Sequence, residues 1–263
     1  MNKSASMFGQ DIDAAIMAYA NDNAHEEICG VVRKGSGGHF FQPLPNQAVD
    51  RTLCFEMSEK AVFSGDNACA IVHSHPKGPA FPSRHDMVQQ QASQLPWAIT
   101  IPTGQTHAGV FWFGGAPAPL MTRGYRHGVT DCYALIRDWF ASQRQISLPD
   151  YPRAWEWWIG TGAGSGDDDS DGRGRRHQAN LYRDNFAAYG FRALEDDVPR
   201  EIGDVAMMRI LGPVINHAAV WVGQGLILHH LAGRHGYAPH RLPRQEPAER
   251  WYRYIDFWVR YGG

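Results

Sequence analysis

The chain has 263 residues, enough for one large domain or two of ordinary size. Its formal net charge of −2 leaves no basic footprint for nucleic acid or an anionic membrane surface. Hydrophobic residues at 43% and aromatics at 12% supply packed cores and argue against general disorder.

No stretch approaches the roughly 18 apolar residues of a membrane span. The opening "MNKSASMFGQDIDAAIMAYA" has no unbroken apolar run, so no secretory signal is expected. Cys29, Cys54, Cys69 and Cys132 lie far apart with no CxxC pair, which fits reduced thiols better than a disulfide framework.

In chain order, Ile12, Ala15, Ile16 and Tyr19 recur at helical spacing and predict a helix over 9–22. "ICGVVRK" and "HFFQPL" flank a Gly-Ser-Gly-Gly turn and predict a hairpin. A short helix capped by Ser58 follows, then a buried strand, "CAIVHSH". Ser83 predicts the cap of a helix through Ala92, and strands follow at "WAITI" and "AGVFWF". The Gly/Pro-rich "GGAPAPLMTRGYRHG" then marks a break. It separates a first domain at 1–115 from a second at 129–263, with a linker at 116–128.

In the second half, "TDCYALIRDWFASQRQ" is amphipathic at helical spacing, with Thr130 or Asp131 as its cap. "GDVAMMRI", "HAAVWVG" and "GLILHHL" read as an antiparallel meander, and "WYRYIDFWVRY" adds a last strand. The low-complexity loop at about 160–178 has Asp167, Asp169, Asp171 and Gly172 in the first half of a calcium-loop pattern. The twelfth position is Gln178 rather than Glu, so the stretch reads as solvated linker.

Two constellations carry chemistry. In the first, His73 and His75 leave one face of a strand end, and Asp86 follows three residues after Ser83. Two imidazoles and a carboxylate make the three-ligand zinc arrangement that keeps a position open for catalysis. Glu27 stands before the strand "ICGVV" as a candidate base, with Glu26 as its neighbouring alternative. Ser83 can donate to an oxyanion. A lone His-x-His is usually a surface or core pair; the full spacing is far more specific. These residues, with Ser74 and Pro76, resemble the signature of the JAMM (JAB/MPN+) metalloprotease family over about residues 8–113. That resemblance implies an α/β/α domain with a mixed sheet and a zinc isopeptidase-like site. His73, His75 and Asp86 would be its ligands, Glu27 its base and Ser83 its oxyanion donor.

In the second, Cys132 opens the amphipathic helix, where the positive end of the helix dipole favours thiolate. His217 opens one strand and His229 ends the next, so a tight hairpin sets the two rings side by side. A buried structural cysteine is the commoner meaning of Cys132 alone. The ordered set "DC", "NHAAVWVG" and "LILHH" resembles the NlpC-type papain-like peptidases over about 125–260. That implies Cys132 as nucleophile, His217 as base and His229 as orienting residue, acting on peptide bonds of peptidoglycan stem peptides. His230 is an alternative third member, but strand alternation turns it to the other face. Trp139, Trp155, Trp157 and Trp158 read as packing near the cleft rather than sugar platforms.

The whole therefore reads as an α+β chain, with the papain-like half built on an antiparallel sheet. Two such modules in one short chain resemble a family of phage tail tip assembly proteins. The resemblance implies synthesis in the host bacterial cytoplasm, other tail tip proteins as partners and the virion tail tip as a further location. A non-catalytic assembly factor, using both folds as docking surfaces, is the rival reading.

Overall fold

Ile12, Ile16 and Ala20 form one stripe of helix α1 (Gln10–Asp22), and that stripe is its buried face. It packs on Ile28, Val32, Ala70, Val72 and Ala98. The computed structural model describes residues 6–65, 67–102, 109–159, 180–233 and 235–263. It divides into two compact units, Met1–Pro117 and Ala118–Gly263.

In the first unit, β1 (Cys29–Gly35) and β2 (Gly38–Leu44) form the expected hairpin. Next come α2 (Glu59–Val62), β3 (Ala68–Ser74), α3 (Arg84–Ser93), β4 (Trp97–Thr100) and β5 (Val110–Phe113). Ser58 does precede α2, but its side chain makes no capping bond. The sheet order is β2-β1-β3-β4-β5, and β3 and β4 run parallel while the other neighbours are antiparallel. The parallel pair needs a crossover, and α3 supplies it. Ala70 and Val72 face α1, so strand alternation turns His73 to the opposite face, where it meets Asp86 of α3. Helix, mixed sheet and helix form the expected layers.

The second unit holds β6 (Tyr125–Arg126), α4 (Cys132–Arg144), α5 (Leu181–Asn185) and β7 (Phe191–Leu194). The meander follows as β8 (Val205–Met208), β9 (His217–Gly223) and β10 (Leu226–His229). Last are β11 (Tyr237–Ala238), β12 (Arg244–Pro247) and β13 (Ile255–Tyr261). Six strands make an antiparallel sheet in the order β12-β10-β9-β8-β13-β7. Leu135, Ile136, Trp139 and Phe140 of α4 join Val205, Met207, Ala218 and Val220 in one core. The alternate residues Ala206, Met208, Ala219 and Ile227 join Trp258 in another, so the sheet is apolar on both faces.

The linker expectation needs correction at its end. Tyr125–Arg126 pairs with Tyr237–Ala238, and Arg123 and His127 are buried. Gly124 is there for contact rather than flexibility: a Cβ would come within 2.5 Å of the Pro239 carbonyl oxygen. The Gly/Asp-rich loop and its calcium-like residues Asp167, Asp169, Asp171, Gly172 and Gln178 lie outside the described residues.

Candidate functional site

The first site assembles where β3 ends. Ser74 N–H donates to the Ile28 carbonyl, and Ile28 N–H donates to Ser74 Oγ at 2.9 Å. His75 N–H donates to the Thr100 carbonyl, so the extended backbone continues through both histidines. Their rings therefore leave on one side, with the two Nε2 atoms 3.1 Å apart. Asp86 Oδ1 lies 3.3 Å from His73 Nε2, and Asp86 Oδ2 lies 3.5 Å from His75 Nε2. All three side chains are buried, and they form the one group with metal-holding geometry found among the described residues.

The donor set fits zinc. Ligand atoms about 2.0–2.1 Å from a tetrahedral ion stand about 3.3 Å apart, close to the separations found. One ring has its outer hydrogen bond, while the buried His73 Nδ1 has no hydrogen-bond partner among the described residues. His75 Nδ1 donates to the Pro79 carbonyl at 2.8 Å, which leaves its Nε2 lone pair facing the site. Phe55 stacks on His73 at 4.5 Å, and Trp97 meets the same ring edge-on at 5.6 Å. Asp86 is fixed by a reciprocal capping box with Ser83. Burial would raise the Asp86 pKa, but the two imidazoles outweigh it and hold the carboxyl well below its usual range.

Glu27 is buried just before β1, with its N–H on the Arg51 carbonyl and its carbonyl taken by Asn46. Cys29 pairs with His73 in register, so continuing the ladder by two residues sets Glu27 level with His75. Burial lifts its carboxyl to about 7, the nearby Asp86 charge adds to the rise, and His75 opposes it. Its neighbour Glu26 is instead on the surface side, 3.8 Å from Arg51. Ser83 Oγ accepts from Asp86 N–H at 3.0 Å, which leaves its own hydrogen free to be donated.

The second site forms at the start of α4. Asp131 caps the helix by accepting from Ala134 N–H, and Arg153 binds both its oxygens, at 2.8 and 2.9 Å. Cys132, His217, Tyr125, Tyr182, Trp157, Trp158 and Glu246 are among the residues lining one cavity of about 590 Å³. The Cys132 sulfur lies 3.0 Å from the Tyr182 hydroxyl and takes a hydrogen bond from the Ala218 backbone, next to His217. The expectation of a resting thiolate is not met. Burial, with Asp131 adding to it, pushes the Cys132 thiol up to about 11 despite the helix dipole.

His217 Nε2 and His229 Nδ1 are 3.2 Å apart, as the hairpin predicted. Positive φ angles at Gly223, Gln224 and Gly225 close that turn. Burial is the largest influence on both rings, holding His217 well below its ordinary pKa and His229 at about 4. His230 bonds the Arg241 carbonyl instead, at 2.9 Å. Trp139 packs in the core and Trp155 edges onto His127, while Trp157 and Trp158 reach the cavity.

Sequence reasoning missed Tyr182 and Glu246. Glu246 Oε2 lies 3.5 Å from His229 Nε2 and accepts from Trp251 Nε1 at 2.9 Å. The polar "RQEP" of β12 carries no alternation that would mark it.

The two units match known proteins separately. Residues 10–113 match the family model for prokaryotic homologs of the JAB domain, and residues 111–254 match the NlpC/P60 family. The tail tip assembly protein K of Escherichia phage N15 is 30% identical over 240 residues, covering 87% of this chain and 86% of that protein. Its counterpart in Escherichia phage lambda is 34% identical over 191 residues, covering 73% and 77%. The chain belongs to the family of the phage tail tip assembly proteins K, a JAB-like unit followed by an NlpC/P60 unit.

Proposed function

We propose that this protein acts in phage tail tip assembly as a peptidase, with other tail tip proteins as partners. Its second domain, from about residue 129, hydrolyses peptide bonds of peptidoglycan stem peptides. Cys132 is the nucleophile, His217 the base and His229 the residue that orients it. The supporting observation is the His217–His229 contact together with one cavity lined by both His217 and Cys132. The cavity is large enough for a peptide segment, and its Tyr and Trp walls give apolar area with polar tips.

The first domain, about 1–115, is read as a zinc isopeptidase-like site held by His73, His75 and Asp86. When bound, zinc supplies a Lewis acid that polarises a substrate carbonyl. Glu27 carries the proton, and the Ser83 hydroxyl donates to the developing oxyanion. Synthesis and assembly are placed in the host cytoplasm, with the virion tail tip as the further location.

One observation favours the rival, a docking protein without turnover: the Cys132 sulfur is buried and lies 3.0 Å from the Tyr182 hydroxyl. Incubating purified sacculi with the full-length protein separates the two. Release of new amino groups by wild type and its loss in Cys132→Ala support the peptidase; no release from either supports docking.

A further inference from the structure

We infer that Glu246 is a positioning residue of the thiol site: it sets the tautomers of His229 and His217, so that the His217 lone pair lies on Nδ1 in the cavity that His217 and Cys132 both line. This rests on the cysteine-peptidase reading above. Between two neutral imidazoles, one nitrogen must carry the hydrogen and the other the lone pair. The 3.2 Å contact between His217 Nε2 and His229 Nδ1 allows either polarity. Glu246 decides it.

His229 Nε2 is buried, has no partner within hydrogen-bonding geometry among the described residues and faces Glu246 Oε2 at 3.5 Å; a carboxylate only accepts, so that contact favours the hydrogen on Nε2. His229 Nδ1 then holds the lone pair, and His217 Nε2 must donate to it. That leaves the His217 lone pair on Nδ1, the form a general base requires. With the opposite polarity the hydrogen sits on Nδ1, and His217 has no lone pair left for the thiol.

The carboxylate is itself held in place. Trp251 Nε1 donates to Oε2 at 2.9 Å, and the Trp251 ring meets His229 edge-on at 4.6 Å. Arg244 Nη1 stands 3.9 Å from Oε1. In the proposed reaction, across the cavity that both residues line, the Cys132 Sγ proton goes to His217 Nδ1, giving a thiolate and an imidazolium. The imidazolium keeps its Nε2–H bond to His229, and the charge of Glu246 lies at the end of that chain. The other titratable and charged groups acting on the two rings are His230, Arg244 and Asp131. Asp131 is committed to Arg153, and His230 to the Arg241 carbonyl.

The test reads tautomers by long-range ¹H–¹⁵N NMR on full-length protein with labelled histidine, and Cys132 alkylation by iodoacetamide against pH. Neither needs substrate. Wild type should show the Nε2–H form at His217 and His229. Glu246→Gln keeps an acceptor, so both tautomers should persist while alkylation slows and its pH profile shifts. Glu246→Leu should mix the tautomers and slow alkylation by about a hundredfold, the low end of what a general base contributes. An Nδ1–H form at His229 in wild type overturns the inference, as do unchanged alkylation profiles in both variants. If Glu246→Leu does not fold, the wild-type spectrum and Glu246→Gln still decide. Expected tautomers without any cleavage of stem peptides would count against the peptidase reading alone.

Discussion

Ser83 and Asp86 hold each other twice at the start of α3: Ser83 Oγ accepts from Asp86 N–H at 3.0 Å, and Asp86 Oδ2 accepts from Ser83 N–H at 2.7 Å. The carboxylate that caps the helix is also the one that faces both imidazoles. Folding of α3 and assembly of the candidate metal site therefore share one side chain.

The two roles separate by substitution. Ser83→Ala removes one capping bond and should cost about 1 kcal/mol of stability while zinc content is kept. Asp86→Asn retains an oxygen for the Ser83 N–H but loses the ligand charge, and should lose zinc. Thermal melts with elemental analysis check both, and a fully zinc-loaded Asp86→Asn would count against the ligand assignment.

Glu27 lies beside His73, His75 and Asp86 without belonging to that group. Glu27→Gln should therefore retain zinc and lose hydrolysis at the first site, because shape is preserved and the proton carrier is gone. Undiminished turnover in that variant would remove Glu27 from the mechanism.

The cysteines should label in an order set by exposure and protonation. Cys54 is exposed, Cys132 is buried with its thiol at about 11, and Cys29 is buried with its thiol at about 12. At neutral pH, iodoacetamide should reach Cys54 first and Cys132 slowly. Tyr182→Phe removes a bond that lowers the Cys132 pKa, so it should slow Cys132 further. Peptide mapping that finds Cys132 labelled before Cys54 would contradict this protonation state.

Acid should destabilise the second unit over a defined window. Burial is the largest influence on His127 and His229, holding both at about 4 against an ordinary 6.5, and His217 well below it. Between pH 6.5 and 4 the unfolded chain binds the extra protons, so stability falls as pH falls. Each such proton adds about 1.4 kcal/mol per pH unit to the slope. Melting temperature should drop from pH 7 to pH 5, and His127→Gln should flatten the drop. A flat wild-type profile would refute the buried neutral histidines.

Much of this was legible in the sequence where spacing alone fixes geometry. His73 and His75 share a face because a strand has period two, and Ser83–Asp86 is a helix cap at its usual offset. The His217–His229 contact follows from a hairpin of known length. Glu246 was not legible, because its place depends on β12 pairing with β10 rather than on any pattern of its own. Likewise "GYRHG" reads as linker by composition, while its pairing with Tyr237–Ala238 lies over a hundred residues away. Helix position favours the Cys132 thiolate and is visible in the sequence, while the burial that pushes the thiol up is visible only in the fold.

The most direct measurement is mass spectrometry of products from purified stem peptides given to zinc-loaded wild type, Cys132→Ala and His73→Ala. Wild type and His73→Ala should cleave at one same bond, and Cys132→Ala should cleave nothing. Cleavage that survives in Cys132→Ala, or intact peptides in every sample, would contradict a thiol peptidase built on Cys132 and His217.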